Sequence, residues 1–340
     1  MLKGIGSVLP SADPAAMPID ALSVWTRWTA DGPDVSAFST ARAALAALLT
    51  ARCVKRLWLP AYCCDSLAEA ARARGVELAW YAVDARLQAS TADLEAGLVS
   101  GDAVVAIAYF GRAPDDCLRA LASRRQDALW IEDRAQALDT TVPSLGAITL
   151  YSPRKLLGVA DGGLLVGADL PVADPRPIDQ AELWRPNDLR RADLEGLAPD
   201  AWFSRFQARE AAFDASSAPS SARTLTALQG FDPTLEIRVR RRNWGVLAQR
   251  LGDLMLWDDP APAFAPLAFP VVIDDASALG AYLAERGIWA ARHWTQLPSP
   301  ASYRAAHDLS AHCLSLPLDG RYDRADMERV ADAVLSFANS

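Results

Sequence analysis

Lysine occurs only three times in this 340-residue chain, as Lys3, Lys55 and Lys155, among abundant arginine. Chemistry that needs a primary amine must use one of the three, because arginine stays protonated and forms no Schiff base. Lys155 closes the sequence Ser152-Pro153-Arg154-Lys155, just after a short apolar run at 147–151. A second apolar run, 128–131, leads into Glu132-Asp133-Arg134-Ala135-Gln136. A third polar group, Ser39-Thr40-Ala41-Arg42, precedes an alanine- and leucine-rich stretch at 43–49. Taken singly, each residue has an ordinary role. A lysine past a strand is usually a solvated loop residue, Asp133 a helix cap, Ser152 a turn cap, and Gln136 a helix-surface side chain. Together they form the set that pyridoxal-phosphate chemistry requires. An amine holds the aldehyde and shuttles a proton, and a carboxylate keeps the pyridine nitrogen protonated. A hydroxyl and the N–H groups of a helix start bind the phosphate. Lys155, Asp133, and Ser152 with Thr40, Ala41 and Arg42 meet these needs in turn.

Such residues act together only if the fold brings them to one place. Short apolar runs alternate with helical patterns from residue 36 to 166. Strands are expected at 56–59, 77–83, 103–110, 128–131, 147–151 and 163–166. Helices are expected at 43–49, capped by Ser39 or Thr40, and at 65–74, 91–98 and 115–123, with Gly75 as a stop. Alternation of this kind predicts an α/β fold with a mostly parallel central sheet covered by helices. Ligands then sit at the carboxyl ends of the strands, where the three polar groups lie. Residues 1–35 read as irregular, and 170–230 as irregular with helical stretches. A helix at 235–251, strands at 267–273 and 288–292, a helix at 276–286 and a last helix at 324–337 make a smaller α/β unit. The division expected is 1–230 for a large cofactor-binding domain and 231–340 for a small C-terminal one.

Composition narrows the function classes. The net charge of −8 argues against nucleic acid as the main partner. No apolar run is long enough to span a bilayer, and the first residues lack a secretory signal pattern. The five cysteines have no zinc spacing and read as reduced thiols of a cytoplasmic protein. His293, His307 and His312 share no metal spacing, so no metal is expected. The arginine run at 238–242 reads as a solvated helix face or a set of intrachain ion pairs. No G-x-S-x-G elbow is present, and Gly158, Gly162 and Gly163 do not fit G-x-G-x-x-G.

From about residue 36 onward the chain resembles the sugar aminotransferases of the DegT/StrS type, within the aspartate-aminotransferase fold. The resemblance lies in "FSTARAALAALL", "WLPAYCCDSLAEAARARGVELAWYAVD", "VVAIAYFG", "WIEDRAQAL", "LYSPRKLLGVADGGLLV", "GIWAARHW" and "LSLPLDGRY". It implies that Lys155 carries the cofactor and moves the proton, and that Asp133 pairs with the pyridinium nitrogen. Gln136 would sit near the ring substituents, and Ser152 with Ala41 and Arg42 would bind phosphate. It further implies a homodimer, glutamate as amino donor and a nucleotide-linked keto-sugar as acceptor. The alternatives are a pyridoxal-phosphate enzyme of another reaction or a non-sugar acceptor, and a non-catalytic member. His293 and Arg154 are the residues expected toward substrate.

The sequence also departs from that pattern. Cys64 stands where the family often stacks an aromatic residue on the ring, with Tyr62 the nearest substitute. Ala41-Arg42 replaces a Gly-Thr phosphate turn, and the step from Ser152 to Lys155 is short. The family's Tyr-Asn loop, sent from a neighbouring subunit, has "SSAPSSAR" around Ser220 as its only counterpart.

Overall fold

The computed structural model describes residues 4–12, 22–30, 32–139, 142–193 and 201–339. Lys3 lies outside them, as do 194–200 of the stretch read as irregular. The first half contains β1 (Ile5–Gly6), α1 (Val24–Thr29), β2 (Asp34–Phe38), α2 (Ala41–Ala51), β3 (Arg56–Pro60), α3 (Asp65–Arg72), β4 (Glu77–Tyr81), α4 (Ala92–Gly97), β5 (Ala103–Ile107), α5 (Asp116–Arg124), β6 (Leu129–Asp133), β7 (Ile148–Tyr151) and β8 (Gly163–Gly167). There follow α6 (Gln180–Ala192), α7 (Phe203–Ala212), α8 (Ala222–Gly230), α9 (Thr234–Leu251), β9 (Phe269–Val272), α10 (Ala276–Ala284), β10 (Ile288–Trp289), α11 (Arg304–His312), β11 (Cys313–Leu316) and α12 (Arg324–Ala338).

Seven strands form the main sheet, in the order β2-β8-β7-β6-β5-β3-β4. From β7 to β4 every pair is parallel, whereas β8 runs antiparallel to both of its neighbours. Helices cover the sheet, as the sequence pattern predicts. The central strands are apolar on both faces because both are covered: all five residues of β5 are buried. Two small sheets lie elsewhere, β9 with β11 antiparallel and β1 with β10 parallel. β1 therefore pairs with a strand more than 280 residues later. The first described residues are thus built into the C-terminal elements.

Three expectations change. Residues 1–35 contain β1, α1 and the start of β2 rather than only irregular chain. α1 is held by packing, not propensity: Trp28 is fully buried and stacks on Tyr151 at 4.5 Å. β2 is an edge strand and mostly half-buried, so it lacks the apolar run of a central strand. In the C-terminal part, 288–292 forms only a two-residue strand, and α11 and β11 occupy what read as a loop. Within the arginine run Arg240, Arg241 and Arg242 are paired inside the chain, Arg238 is exposed, and Arg240 is buried. It bonds Glu236 at 2.6 Å and the carbonyls of Pro266 and Leu267.

Candidate active site

β6 and β7 end side by side, and their next residues open into a cleft of about 660 Å³, counting its mouth. Asp133 closes β6, while Ser152, Arg154 and Lys155 follow β7 on a tight turn begun by Pro153. The start of α2 comes to the same end of the sheet because of two glycines. A Cβ on Gly163 would lie 2.1 Å from the Thr40 carbonyl carbon and 2.3 Å from Ala41 N, and one on Gly162 would meet Pro153. Only bare backbone lets α2 approach β8 this closely. Asp161 fixes the glycine pair, accepting from Ser221 N at 2.6 Å, Ser221 Oγ at 2.7 Å and Thr224 Oγ1. This pins the loop after Lys155 to the start of α8.

The cleft gathers Thr40, Ala41, Arg42, Cys64, Asp133, Gln136, Ser152, Arg154 and Lys155. Thr40 is the cap of α2, its Oγ1 accepting from Ala43 N at 3.0 Å. The N–H groups of Ala41 and Arg42 belong to the first turn, where a helix has no internal acceptor. The Arg42 guanidinium turns sideways, 3.1 Å from Glu69 and donating to the Phe213 carbonyl. Ser152 is buried and its side chain caps nothing, unlike its ordinary reading. Asp133 Oδ1 accepts from Ala135 N at 2.8 Å. Burial raises its pKa above the usual carboxylate value, and the nearby Lys155 charge only partly offsets this.

Gln136 Oε1 accepts from Phe110 N at 2.6 Å, while its Nε2 is buried with no partner. A buried donor left unmade costs about 1–3 kcal/mol, so this amide calls for an acceptor in the cleft. That orphan, the buried Asp133 carboxylate, the uncommitted Ser152 hydroxyl, the glycine-backed helix start and Lys155 together fit pyridoxal phosphate.

One expectation for this site is corrected. Tyr62 is fully buried and does not line the cleft. Its ring backs that of Trp294 at 5.4 Å and that of Tyr109 at 5.9 Å. The "SSAPSSAR" stretch is held within its own chain: Ala218 accepts from Ser39 N, and Ser221 holds Asp161. His293 lies next door, in a cavity that also touches Lys155, Cys64 and Trp294. Its Nδ1 is 2.8 Å from Ser315 Oγ. Burial, helped by the Lys155 charge, lowers its pKa to about 4. Arg154 is paired with Glu210.

Seven residues lining the cleft were not singled out in the sequence, among them Trp294, Glu210 and Phe213. Trp294 presents its ring 6.0 Å from Lys155 Nζ. The signal was weak but present, since Trp294 adjoins His293. Glu210 and Phe213 come from the end of α7, in the stretch read as irregular, and nothing in the sequence marked them.

The fold is that of the pyridoxal-phosphate-dependent transferases. Among solved structures, the chain is similar to a DegT/DnrJ/EryC1/StrS aminotransferase from Brucella abortus, with TM-score 0.65, 18% identity, and 91% and 87% of the two chains covered. It is similar to the PLP form of a putative sugar aminotransferase, Spr1654 from Streptococcus pneumoniae, with TM-score 0.67, 13% identity and 97% and 92% covered. It is also similar to DesI, solved in the presence of its TDP-sugar product, with TM-score 0.64, 19% identity and 90% and 81% covered. No protein-family model and no curated protein matches the sequence.

Proposed function

We propose that this chain is a pyridoxal-phosphate-dependent aminotransferase that moves an amino group from glutamate to a nucleotide-linked keto-sugar. One observation carries the reading: Lys155, Asp133, Gln136, Ser152 and the start of α2 line a single cleft at the carboxyl ends of β6 and β7. The shared fold with sugar aminotransferases, one of them solved with a TDP-sugar product, supports the acceptor class.

The cofactor, when bound, supplies an electron sink beside the substrate carbon. Lys155 would hold the cofactor's aldehyde and would move a proton on and off its Nζ. Asp133 would keep the ring nitrogen protonated, and Gln136 Nε2 would supply a donor to the ring. Ser152 Oγ and the N–H groups of Ala41 and Arg42 would hold the phosphate. Trp294 and Cys64 form the walls beside Lys155. His293, uncharged at neutral pH, and Arg154 face the substrate side. We further propose that the enzyme works as a homodimer in the cytoplasm. Among the described residues, no helix is long and apolar enough to cross a membrane.

The test is the visible spectrum of the purified protein with pyridoxal phosphate, before and after glutamate. A yellow band that glutamate bleaches is expected. A band that glutamate leaves intact would overturn the donor, and no band would overturn the cofactor. A panel of keto-sugar nucleotides then separates amine transfer to sugars from transfer to other carbonyls.

A further inference from the structure

α7 buries none of its residues, yet its last turn reaches into the cleft. Glu210 accepts from Arg154 Nη1 through both oxygens, at 2.5 and 2.6 Å, and from Arg209 Nη2 at 3.3 Å. The Phe213 ring lies 4.7 Å from the Arg154 guanidinium carbon, and the Phe213 carbonyl accepts from Arg42 at 3.0 Å. The segment therefore bridges the two arginines of the cleft, one at the start of α2 and one beside Ser152. Arginine next to a helix N-terminus is a usual seat for a phosphate or carboxylate. Here the anion in the seat belongs to the chain.

A phosphate brought to the same arginine would meet Glu210 as a like charge, so the two compete. We propose that Glu210 is a built-in occupant of the anion-binding end of the cleft, and that a phosphate group displaces it from Arg154 and lifts α7 off the cleft mouth. The inference relies on the proposed cofactor site for its location. The mechanics follow from how α7 is held. Trp202, just before it, is buried and donates to Asp193 at 2.9 Å, which anchors that end. The far end is held by polar contacts, those above together with Arg209 to the Leu183 carbonyl and to Asn187 Oδ1. With no buried apolar face, opening exposes little hydrophobic surface. Exchanging one anion for another also keeps Arg154 paired throughout.

Two measurements on the full chain without cofactor test this. Amide hydrogen exchange over 203–213 should quicken when inorganic phosphate is added. Calorimetry should show Glu210→Gln binding inorganic phosphate at least about tenfold more tightly than the wild type. Slower or unchanged exchange in the wild type, or equal affinities, would overturn the proposal. Two further ligands identify the phosphate: release of α7 by pyridoxal phosphate assigns a cofactor monoester, and release by a nucleoside diphosphate assigns the acceptor. Release by neither counts against displacement. The cofactor reading fails separately. Loss of the yellow band with α7 still released by phosphate would sink that reading and keep this one. A normal band with α7 immobile would do the reverse.

Discussion

Lys155 lines the cleft, while Lys55, the other described lysine, sits at the start of β3 and lines no cavity described above. Lys155→Ala should abolish amine transfer and the yellow band while the far-ultraviolet dichroism stays unchanged; retained turnover would refute its role. Lys155→Arg should be equally inactive, since a guanidinium forms no Schiff base. Trp294→Ala should weaken cofactor binding about two- to tenfold, and Trp294→Phe should restore most of it, as expected for an aromatic wall. Fluorescence titration checks this, and equal affinity in both variants would remove Trp294 from the site. His293 gives a prediction about stability. Its pKa falls from 6.5 to about 4 on folding, so between those values the unfolded chain binds more protons. The contribution is complete above the unfolded value and is lost as pH falls toward the folded one. Because the side chain is only half-buried, the loss falls below the roughly 3 kcal/mol that the whole shift would carry. Thermal melts from pH 7 to 4 should show this loss in the wild type, and His293→Gln should flatten it while keeping a partner for Ser315. An unchanged slope in the variant would count against the neutral imidazole.

At the scale of elements, the sequence was most legible where burial was greatest. β3, β5, β6 and β7 are short apolar runs because both faces of the sheet are covered, and the polar residues after them mark the cleft. α2 was legible from Thr40 and its run of alanines and leucines, and its cap falls on Thr40. Elements held by tertiary contact were not legible. α1 depends on Trp28 finding Tyr151, β2 is a half-buried edge, and α7 buries none of its residues. Within the site, residues that follow strands were found, Trp294 was signalled only by its neighbour His293, and Glu210 and Phe213 arrive from a distant segment that carries no local pattern. The approach of α2 to β8 can be tested directly. Gly163→Ala would force a Cβ into the Thr40 backbone and should cost about 1–3 kcal/mol. It should also cost cofactor affinity, because the phosphate-binding N–H groups move. Thr40→Ala removes only the cap and should cost about 1 kcal/mol. Chemical denaturation of both variants separates the effects, and a harmless Gly163→Ala would contradict the close approach.

At the scale of the molecule, the N-terminal residues and the C-terminal elements are tied together. Arg321 is held by Asp319 at 2.7 Å and donates to the carbonyls of Gly6, Ser7 and Val8, while Tyr322 bonds Gly6. Gly6, Ser7 and Leu9 line the cavity that joins His293 to Lys155. That cavity is thus lined by residues from both ends of the chain. The proposed homodimer is tested by light scattering, where a mass of twice 36.6 kDa is expected and a monomer mass would reject it.

The reversed direction of β8 has a mechanical consequence. The chain leaves the sheet at Tyr151 and rejoins it at Gly163, and Tyr151 is paired with the next residue, Leu164. Lys155 therefore sits on a short span clamped at both ends by one rigid plate. The span is also propped midway, where Gly158 accepts from Ala12 N at 2.8 Å. A beam held in this way bends little, so the amine explores its surroundings by side-chain rotation rather than by travel of its loop. The proposed chemistry of Lys155 would then reach no further than the length of one lysine side chain.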